Sequence, residues 1–295
     1  MTAPAAPAAD STFVLTLLCP DRPGIVHAVS GLLVEHHGNI LESQQYDDLV
    51  EHRFFMRVRF AVDGGPGGEA GLAALRAAFA PVAERFGMTW ELWLAASPYR
   101  TLILVSKFSH CLNDLLFRWS KESLNIDVVG IVSNHLDCQA LAASYDVPYH
   151  HVPVTPETKA EAEATMLGLV DSLDVDLVIL ARYMQILSTD LCRKLDGRAI
   201  NIHHSMLPSF KGARPYHQAH ARGVKFIGAT AHYVTADLDE GPIIEQDVMR
   251  VDHGYGAAAL AAAGRDVESQ VLSRAVRWHA ETRVLLNGHK TVVFR

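Results

Sequence analysis

The pattern of apolar residues changes at residues 96–99, and this change constrains the fold more than any other feature of the sequence. Residues 12–95 predict the order strand, helix, strand, strand, helix, strand. From residue 100 onward, strands and helices alternate, which predicts a largely parallel sheet. We therefore expect an α/β protein with two domains, 12–95 and 100–295.

The first domain is predicted to be a ferredoxin-like βαββαβ unit. Pro20 and Gly24 interrupt the chain after the first strand, and Gly38 and Asn39 provide a helix stop suited to a left-handed residue. A glycine-rich run at 64–68 opens an alanine-rich helix. The expected strands are 12–19, 40–47, 53–62 and 88–95, and the expected helices are 25–37 and 69–86.

The second domain is predicted to be a Rossmann-like unit with a mostly parallel sheet. Its expected strands are 101–106, 126–132, 149–152, 175–180 and 199–204. The helices between them are expected at 110–121, 136–145, 156–173 and 188–195. We expect strands at 228–235 and 243–250 to extend the sheet, and a helix at 266–286 to close the domain.

Composition limits the partners of this chain. Its 295 residues are 49% hydrophobic, which is ample for ordinary cores, and its net charge of −7 gives no basic field for a nucleic acid. Four cysteines without a C-x-x-C pair favour a reducing cytoplasm over disulfides or a thiolate zinc site. The start lacks the features of a signal peptide, and no apolar run approaches the roughly 18 residues of a membrane helix.

An amide, an imidazole and a carboxylate are placed to act together. Side chains two positions apart on a strand share a face, so Asn201 and His203 leave the strand at 199–204 on the same side. The strand at 228–235 ends in a loop that is able to bring Asp239 alongside. These are the groups needed to move a one-carbon acyl unit, with the carboxylate as the proton carrier.

Each of these residues also has an ordinary structural explanation. A lone Asn or His on a strand is often a local hydrogen-bond partner, and an Asp before Glu-Gly is a typical turn former. The sixteen histidines, with His217 and His220 at helical spacing, leave a metal site as another alternative. No carboxylate stands in an H-E-x-x-H pattern, and we therefore expect no metal.

The sequence around Asn201 and Asp239 resembles the folate-dependent formyltransferase family. The resemblance is carried by INIHHSMLPSFKGARPYHQA at 200–219, SKFSHCL at 106–112, LARYMQIL at 180–187 and GPIIEQD at 241–247. Met206 stands where the family has an aromatic residue. The match extends over nearly the whole chain and points to the hydrolytic branch of the family, in which water takes the formyl group.

The resemblance implies a reaction and a set of site residues. The implied reaction converts 10-formyltetrahydrofolate and water to tetrahydrofolate and formate without a cofactor, and the formate feeds purine synthesis. Asn201 and His203 would bind the formyl oxygen, Asp239 would carry the proton, and Ser205 and His232 would support them. The implied pterin-binding residues are Arg182, Tyr183, Met184, Gln185, Ile186 and Leu187.

The first domain, with PDRPGIV at 20–26, resembles the ACT family of amino-acid-sensing domains. Helix-start amides of this turn are able to receive a ligand carboxylate, and a glycine allows close approach. The implied regulatory site comprises Asp21, Arg22, Gly24 and Asn39, and its ligand would be a small amino acid such as glycine. Pure assembly without a ligand is an equal alternative, and a homo-oligomer is expected in either case.

Two other functions remain open. A glycinamide ribonucleotide formyltransferase shares the catalytic domain, but it uses a glycine-rich turn for the phosphate of its substrate. The corresponding turn here, Ser106 to His110, contains no glycine, although Lys107 is able to hold an anion. A non-catalytic sensor that retains a folate-binding domain is the second alternative, and the complete Asn, His and Asp set argues against it.

Overall fold

The computed structural model describes residues 11–207 and 215–295, which fall into two compact units. The first unit extends to Ser97 and also includes Glu281–Leu285 and Val292–Arg295, while the second contains Pro98–Ala280 and Leu286–Thr291. Parts of the C-terminal segment, which is predicted to belong to the domain 100–295, are thus grouped with the first unit. Among the residues described, no helix is long and apolar enough to cross a membrane.

The first unit has the predicted βαββαβ order, with a four-stranded antiparallel sheet in the order β2-β3-β1-β4. Alternate side chains of the central strand, from Phe13 to Cys19, are buried among the two helices on one face of the sheet. The elements are β1 (Thr12–Pro20), α1 (Ile25–Glu35), β2 (Gly38–Asp48), β3 (Arg53–Val62), α2 (Gly68–Phe86) and β4 (Thr89–Leu94).

A C-terminal segment packs within this first unit. Phe55 forms a buried cluster with Leu285 and Phe294. Arg57, only 2% exposed, donates to the carbonyl oxygens of Glu281 and Thr282 at 3.0–3.3 Å and pairs with Glu42 at 3.1 Å. The predicted helix at 266–286 is wrong at both ends, because the helix spans Ala257–Ala280. At its C-terminal end, the chain leaves the helix and makes these contacts.

The second unit is built on a seven-stranded sheet in the order β11-β10-β9-β8-β5-β6-β7. Its strands are β5 (Tyr99–Val105), β6 (Ile126–Ser133), β7 (Tyr149–His151), β8 (Leu177–Leu180), β9 (Ala199–His203), β10 (Phe226–Tyr233) and β11 (Ile243–Arg250). Its helices are α3 (His110–Ser120), α4 (Gln139–Ala143), α5 (Lys159–Ser172), α6 (Thr189–Lys194), α7 (Pro215–Arg222) and α8 (Ala257–Ala280). A final hairpin, β12 (Val284–Asn287) and β13 (Lys290–Val293), follows α8.

The sheet is mostly parallel, as predicted. Strands β9, β8, β5, β6 and β7 run in one direction, and β10 is antiparallel to both β9 and β11. The central strands carry continuous apolar runs, such as Leu102 to Leu104, which are buried on both faces. The carboxyl ends of β5, β8 and β9 therefore lie at one edge, which is where open α/β sheets bind ligands.

Candidate active site

Strand β9 presents Asn201 and His203 on the same face, as the alternation of its residues predicts. Ile200 and Ile202 point the other way and are 0% and 3% exposed. The antiparallel pairing with β10 places His232 directly opposite Asn201, and the Asn201 Nδ2 and His232 Nε2 atoms are 3.2 Å apart. Burial of the two isoleucines thus fixes which side chains face the site.

Asp239 reaches this face from the loop that follows β10. Its backbone is left-handed, with φ 58°, and Gly241 lets the loop turn back closely, since a Cβ there would lie 1.8 Å from the Tyr233 carbonyl oxygen. Asp239 Oδ1 lies 3.2 Å from His203 Nδ1 and 3.7 Å from His232 Nε2. The structure therefore brings together the amide, imidazole and carboxylate that the sequence analysis selected.

The two imidazoles set the charge of this carboxylate. Burial raises the pKa of Asp239, but the neighbouring imidazoles of His203 and His232 together outweigh that effect and hold the pKa well below its usual range. Asp239 is therefore ionised at neutral pH. Both imidazoles approach Oδ1, and among the described residues Oδ2 has no hydrogen-bond partner.

Ser205, His203 and Asp239 form a line that resembles a serine hydrolase triad. His203 Nε2 is 2.9 Å from Ser205 Oγ, and its Nδ1 faces Asp239. Ser205, however, is only 8% exposed and is not among the residues that line the cavity. Its carbonyl oxygen accepts a bond from the buried Thr230 hydroxyl at 2.9 Å. Ser205 is thus placed to orient the His203 ring rather than to attack a substrate.

An open cavity of about 220 Å³ lies in front of these groups. The segment 182–187, which follows β8, forms one of its walls. Met184 and Ile186 are exposed, while Tyr183 is buried and its hydroxyl points to the Met166 sulfur at 3.7 Å. All six predicted pterin-binding residues line this cavity, together with Asn201, His203, His232 and Asp239.

The turn after β5 holds that wall in place through internal contacts. The Ser106 amide donates to the Arg182 carbonyl at 3.2 Å, and the Ser106 hydroxyl accepts from the Met184 amide at 2.9 Å. The same hydroxyl lies 2.7 Å from Asn134 Oδ1. Lys107 is exposed. The polar groups of Ser106 are therefore used to position the segment 182–187.

Behind the wall, a buried carboxylate joins three elements. Glu268 on α8 lies 2.7 Å from His110 Nε2, accepts from the Tyr216 hydroxyl at 2.7 Å and lies 3.4 Å from Arg182 Nε. Burial raises its pKa, but these partners outweigh the effect and lower it. Sequence reasoning missed Glu268, because nothing in the pattern of α8 links it to a strand end.

Among the described residues, His110, Cys111 and Glu268 are the group close enough to share a metal, with ligand atoms within 4.8 Å. Burial raises the pKa of the Cys111 thiol well above its usual range, so a thiolate ligand is disfavoured. The neighbouring Arg182 cation also opposes a bound metal. These contacts favour an internal ion-pair cluster over a metal site.

The predicted regulatory residues are not together within one chain. Asp21, Arg22 and Gly24 follow β1 at the end where Pro20 pairs with Arg53. Asn39 lies on β2 opposite Ala61, which also pairs with Thr12 at the other end of β1. At about 3.4 Å per residue, eight residues of β1 separate the two places by roughly 27 Å. One ligand is able to contact both only across two copies of the chain.

Sequence reasoning also missed His204, which lines the cavity beside His203 with the two ring centroids 4.8 Å apart. Its position in the motif at 200–219 was a signal for a functional role, but strand alternation predicts that its side chain points away from that of His203. The motif residues 208–214 lie outside the described part of the chain.

Comparisons with known proteins agree with this geometry. Residues 99–276 match the Formyl transferase family, and residues 13–80 match the ACT domain family. The formyltetrahydrofolate deformylase of a Corynebacterium species is 55% identical, over 96% of this chain and 98% of that protein. A crystal structure of formyltetrahydrofolate deformylase from Burkholderia mallei has a TM-score of 0.92 at 54% identity, covering 97% of this chain and 100% of the other.

A crystal structure of glycinamide ribonucleotide transformylase 1 from Symbiobacterium toebii is more distant, with a TM-score of 0.64 at 28% identity over 70% of this chain and 98% of the other. Fold and site together thus define an enzyme with an N-terminal ACT domain and a formyltransferase-type catalytic unit. The deformylase relatives match nearly the whole chain, whereas the transformylase matches 70% of it, and this difference places the chain in the deformylase branch. The chain belongs to the formyltetrahydrofolate deformylase family and is a hydrolase.

Proposed function

We propose that this enzyme hydrolyses 10-formyltetrahydrofolate to tetrahydrofolate and formate. The observation that carries the proposal is the convergence of Asn201, His203 and Asp239 at one cavity, in a chain whose near full-length relatives are deformylases. The reaction supplies formate for purine synthesis and returns the folate carrier. As written, it uses only water and these side chains, with no cofactor.

The cavity wall suits the pterin ring of the substrate. Backbone groups of the irregular segment 182–187, other than the Arg182 carbonyl and the Met184 amide that bond to Ser106, would offer donors and acceptors to the edge of the ring, and the exposed side chains of Met184 and Ile186 would offer apolar contact. Leu187 and Leu180 extend the apolar lining toward the catalytic groups. A ring held there would place its formyl nitrogen toward β9.

Asn201 and His203 would stabilise the formyl oxygen as it becomes an oxyanion. The Asn201 amide has two N–H donors, so one remains for substrate when the other faces His232. Both His203 nitrogens have protein partners, Asp239 and Ser205. Binding of substrate would therefore replace one of these partners, and the oxyanion would then accept from the imidazole. Loss of one such donor typically lowers the rate about a hundred- to a thousand-fold.

Asp239 would carry the proton. The water oxygen bonds to the formyl carbon as Asp239 Oδ2 accepts one of its protons, and the tetrahedral intermediate forms. When the bond from carbon to N10 breaks, its electron pair goes to N10, and Asp239 returns the proton to that nitrogen. The products are formic acid, which ionises in solvent, and tetrahydrofolate. A carboxylate that is ionised before substrate arrives is suited to the first step.

The transferase alternative has less support. An amine acceptor with a phosphate would need open amide groups at the turn after β5. Ser106 in that turn is buried and bonded to the segment 182–187, and the turn has no glycine. The sensor alternative leaves the complete catalytic set unexplained.

The ACT unit would serve assembly and regulation in the cytoplasm. Because Asp21 and Asn39 lie at opposite ends of the same sheet, the effector site would form between two copies, which requires a homo-oligomer. A small amino acid such as glycine is the proposed effector, and no nucleic acid or membrane is expected as a partner. Light scattering of the full chain, with activity measured with and without glycine, tests this part.

The experiment that tests the reaction uses purified protein and 10-formyltetrahydrofolate without an added acceptor. We expect formate and tetrahydrofolate in equal amounts. Addition of glycinamide ribonucleotide should neither accelerate the consumption of 10-formyltetrahydrofolate nor give a formylated product. Formylation of that amine, with no formate in its absence, would replace the proposal by the transferase.

A further inference from the structure

His204 is a cavity-lining imidazole that the mechanism above does not use. Consecutive strand residues point to opposite faces, but β9 ends at His203 and the chain turns there, so both rings face the cavity. The two rings stack with centroids 4.8 Å apart and an interplanar angle of 26°. His204 is thereby held next to the proposed reaction centre.

The ring nitrogens of His204 differ from those of its neighbours in their bonding. His203 has both nitrogens in contact with protein groups, and so does His232. Within residues 11–207 and 215–295, no hydrogen bond to the His204 ring is present. The side chain is only partly buried, so water is able to reach it.

His204 is neutral at physiological pH. Burial lowers its pKa to about 4, and the positive charge of Arg182 acts in the same direction. A neutral imidazole carries one N–H donor and one lone pair that accepts. The Asp239 carboxylate lines the same cavity as this ring. The lone pair of His204 and Oδ2 of Asp239 are thus two acceptors at one cavity, both without a partner among the described residues.

We propose that His204 binds the attacking water. Its lone pair accepts one water proton while Asp239 Oδ2 accepts the other, and the oxygen lone pair is then directed to the formyl carbon. This inference rests on the proposed function. The proton facing Asp239 is transferred and later reaches N10, while the proton facing His204 stays on the new hydroxyl group of formic acid until the product ionises in solvent.

Water needs such a site more than a larger acceptor does. A substrate amine is positioned by the rest of its own molecule, whereas water has only two protons and two lone pairs. Misplacement of a reacting atom by about 1 Å is able to lower a rate by about a hundred-fold. A second acceptor beside Asp239 fixes the water in direction as well as in distance.

Two substitutions separate water binding from ring stacking. His204→Phe keeps an aromatic ring against His203 but removes the acceptor, and His204→Gln removes the ring but keeps an acceptor. We expect His204→Phe to lower kcat for formate release about ten- to a hundred-fold, with KM within about twofold of wild type. If His204→Phe lowers kcat about a hundred-fold, the kcat of His204→Gln should be at least about tenfold higher than that of His204→Phe.

Hydroxylamine tests whether the role of His204 is merely structural, because a structural defect would leave the ratio of the hydroxylamine and water reactions unchanged. It is a stronger nucleophile than water, and its formylation gives formohydroxamate. In His204→Phe, we expect the hydroxylamine-dependent rate to stay near the wild-type rate while formate release falls. His204→Leu repeats the comparison with a smaller side chain, so that misfolding of one variant does not decide the result.

The inference would be overturned by wild-type kcat in His204→Phe, or by equal losses of the hydroxylamine and water reactions in both apolar variants. Weaker tetrahydrofolate binding with unchanged kcat, measured by quenching of protein fluorescence, would also overturn it, since His204 would then be a folate contact. Failure of the wild-type enzyme to release formate is a separate outcome, and it would refute the proposed function instead.

Discussion

Replacement of Asp239 by asparagine tests the proposed proton transfer most directly. The amide keeps the shape of the carboxylate, and its oxygen is still able to accept from His203 Nδ1, which lies 3.2 Å from Asp239 Oδ1. It is unable to take a proton from water. We therefore expect Asp239→Asn to lose almost all formate production while folate binding persists.

The size of the loss follows from the contacts of this carboxylate. A positioned general base contributes about a hundred- to ten-thousand-fold, or about 3–5 kcal/mol of activation free energy. Two imidazoles hold Asp239 in place, which favours a large contribution. The same two imidazoles outweigh the effect of burial and lower its pKa, which makes it a weaker base. We expect the two effects to leave kcat about a thousand-fold below wild type.

Asp237→Asn is the matched control, since this exposed residue lies in the same loop. Its kcat should stay within about twofold of wild type. Formate release gives kcat and KM for both variants, and fluorescence quenching by tetrahydrofolate gives binding. If Asp239→Asn retains kcat within tenfold of wild type, Asp239 is not the proton acceptor. If it loses folate binding instead, the carboxylate shapes the cavity rather than moving a proton.

Three further predictions concern the catalytic unit. Asn201→Ala should lower kcat about a hundred- to a thousand-fold with little change in folate binding, because the oxyanion exists only near the transition state. A loss of folate binding with unchanged kcat would contradict this role. Gly264→Ala should lower the melting temperature by several degrees, because the added Cβ would lie 2.0 Å from the Tyr216 hydroxyl oxygen. Gly168→Ala is the control, since a Cβ there meets nothing within 4 Å and should leave the melting temperature unchanged. Similar melting temperatures for the two variants would refute the contact. Burial lowers the pKa of His279 from 6.5 to about 4, so His279 binds a proton more readily in the unfolded chain than in the folded protein. The contribution of the neutral His279 to the free energy of unfolding is therefore complete above pH 6.5 and is lost as the pH falls toward 4. Between pH 7 and pH 5, urea unfolding of wild type should therefore lose about 1–2 kcal/mol more than unfolding of His279→Gln, and parallel losses would show that His279 does not titrate as stated.

The sequence predicts those parts of the site that depend on local periodicity. Strand alternation places Asn201 and His203 on one face, and the turn signal before Gly241 places Asp239 near them. Continuous apolar runs predict the parallel strands, because such strands are buried on both faces. These features need only neighbouring residues, and the structure agrees with them.

Contacts over long sequence distances were not predictable in this way. Glu268 lies on a helix whose alanine-rich pattern says nothing about Arg182 or His110, and its role depends on how α8 packs. His204 was missed because the end of β9 breaks the alternation that located His203. The end of α8 was placed too late, because good helix formers continue past the point where tertiary contacts, such as those of Arg57, redirect the chain.

The contacts of Arg57 set the order in which the protein is able to fold during synthesis. The first unit emerges early from the ribosome, but the carbonyl oxygen of Glu281 that Arg57 needs lies 224 residues further along. At about 5–20 residues per second, roughly 10–45 s pass before that partner exists. During this interval a buried cation lacks its main-chain acceptors, and one sheet face lacks Leu285 and Phe294. The nascent N-terminal unit is therefore incomplete until residues 281–294 have been synthesised, and a nascent chain that stops before them is an expected target for chaperones and proteases.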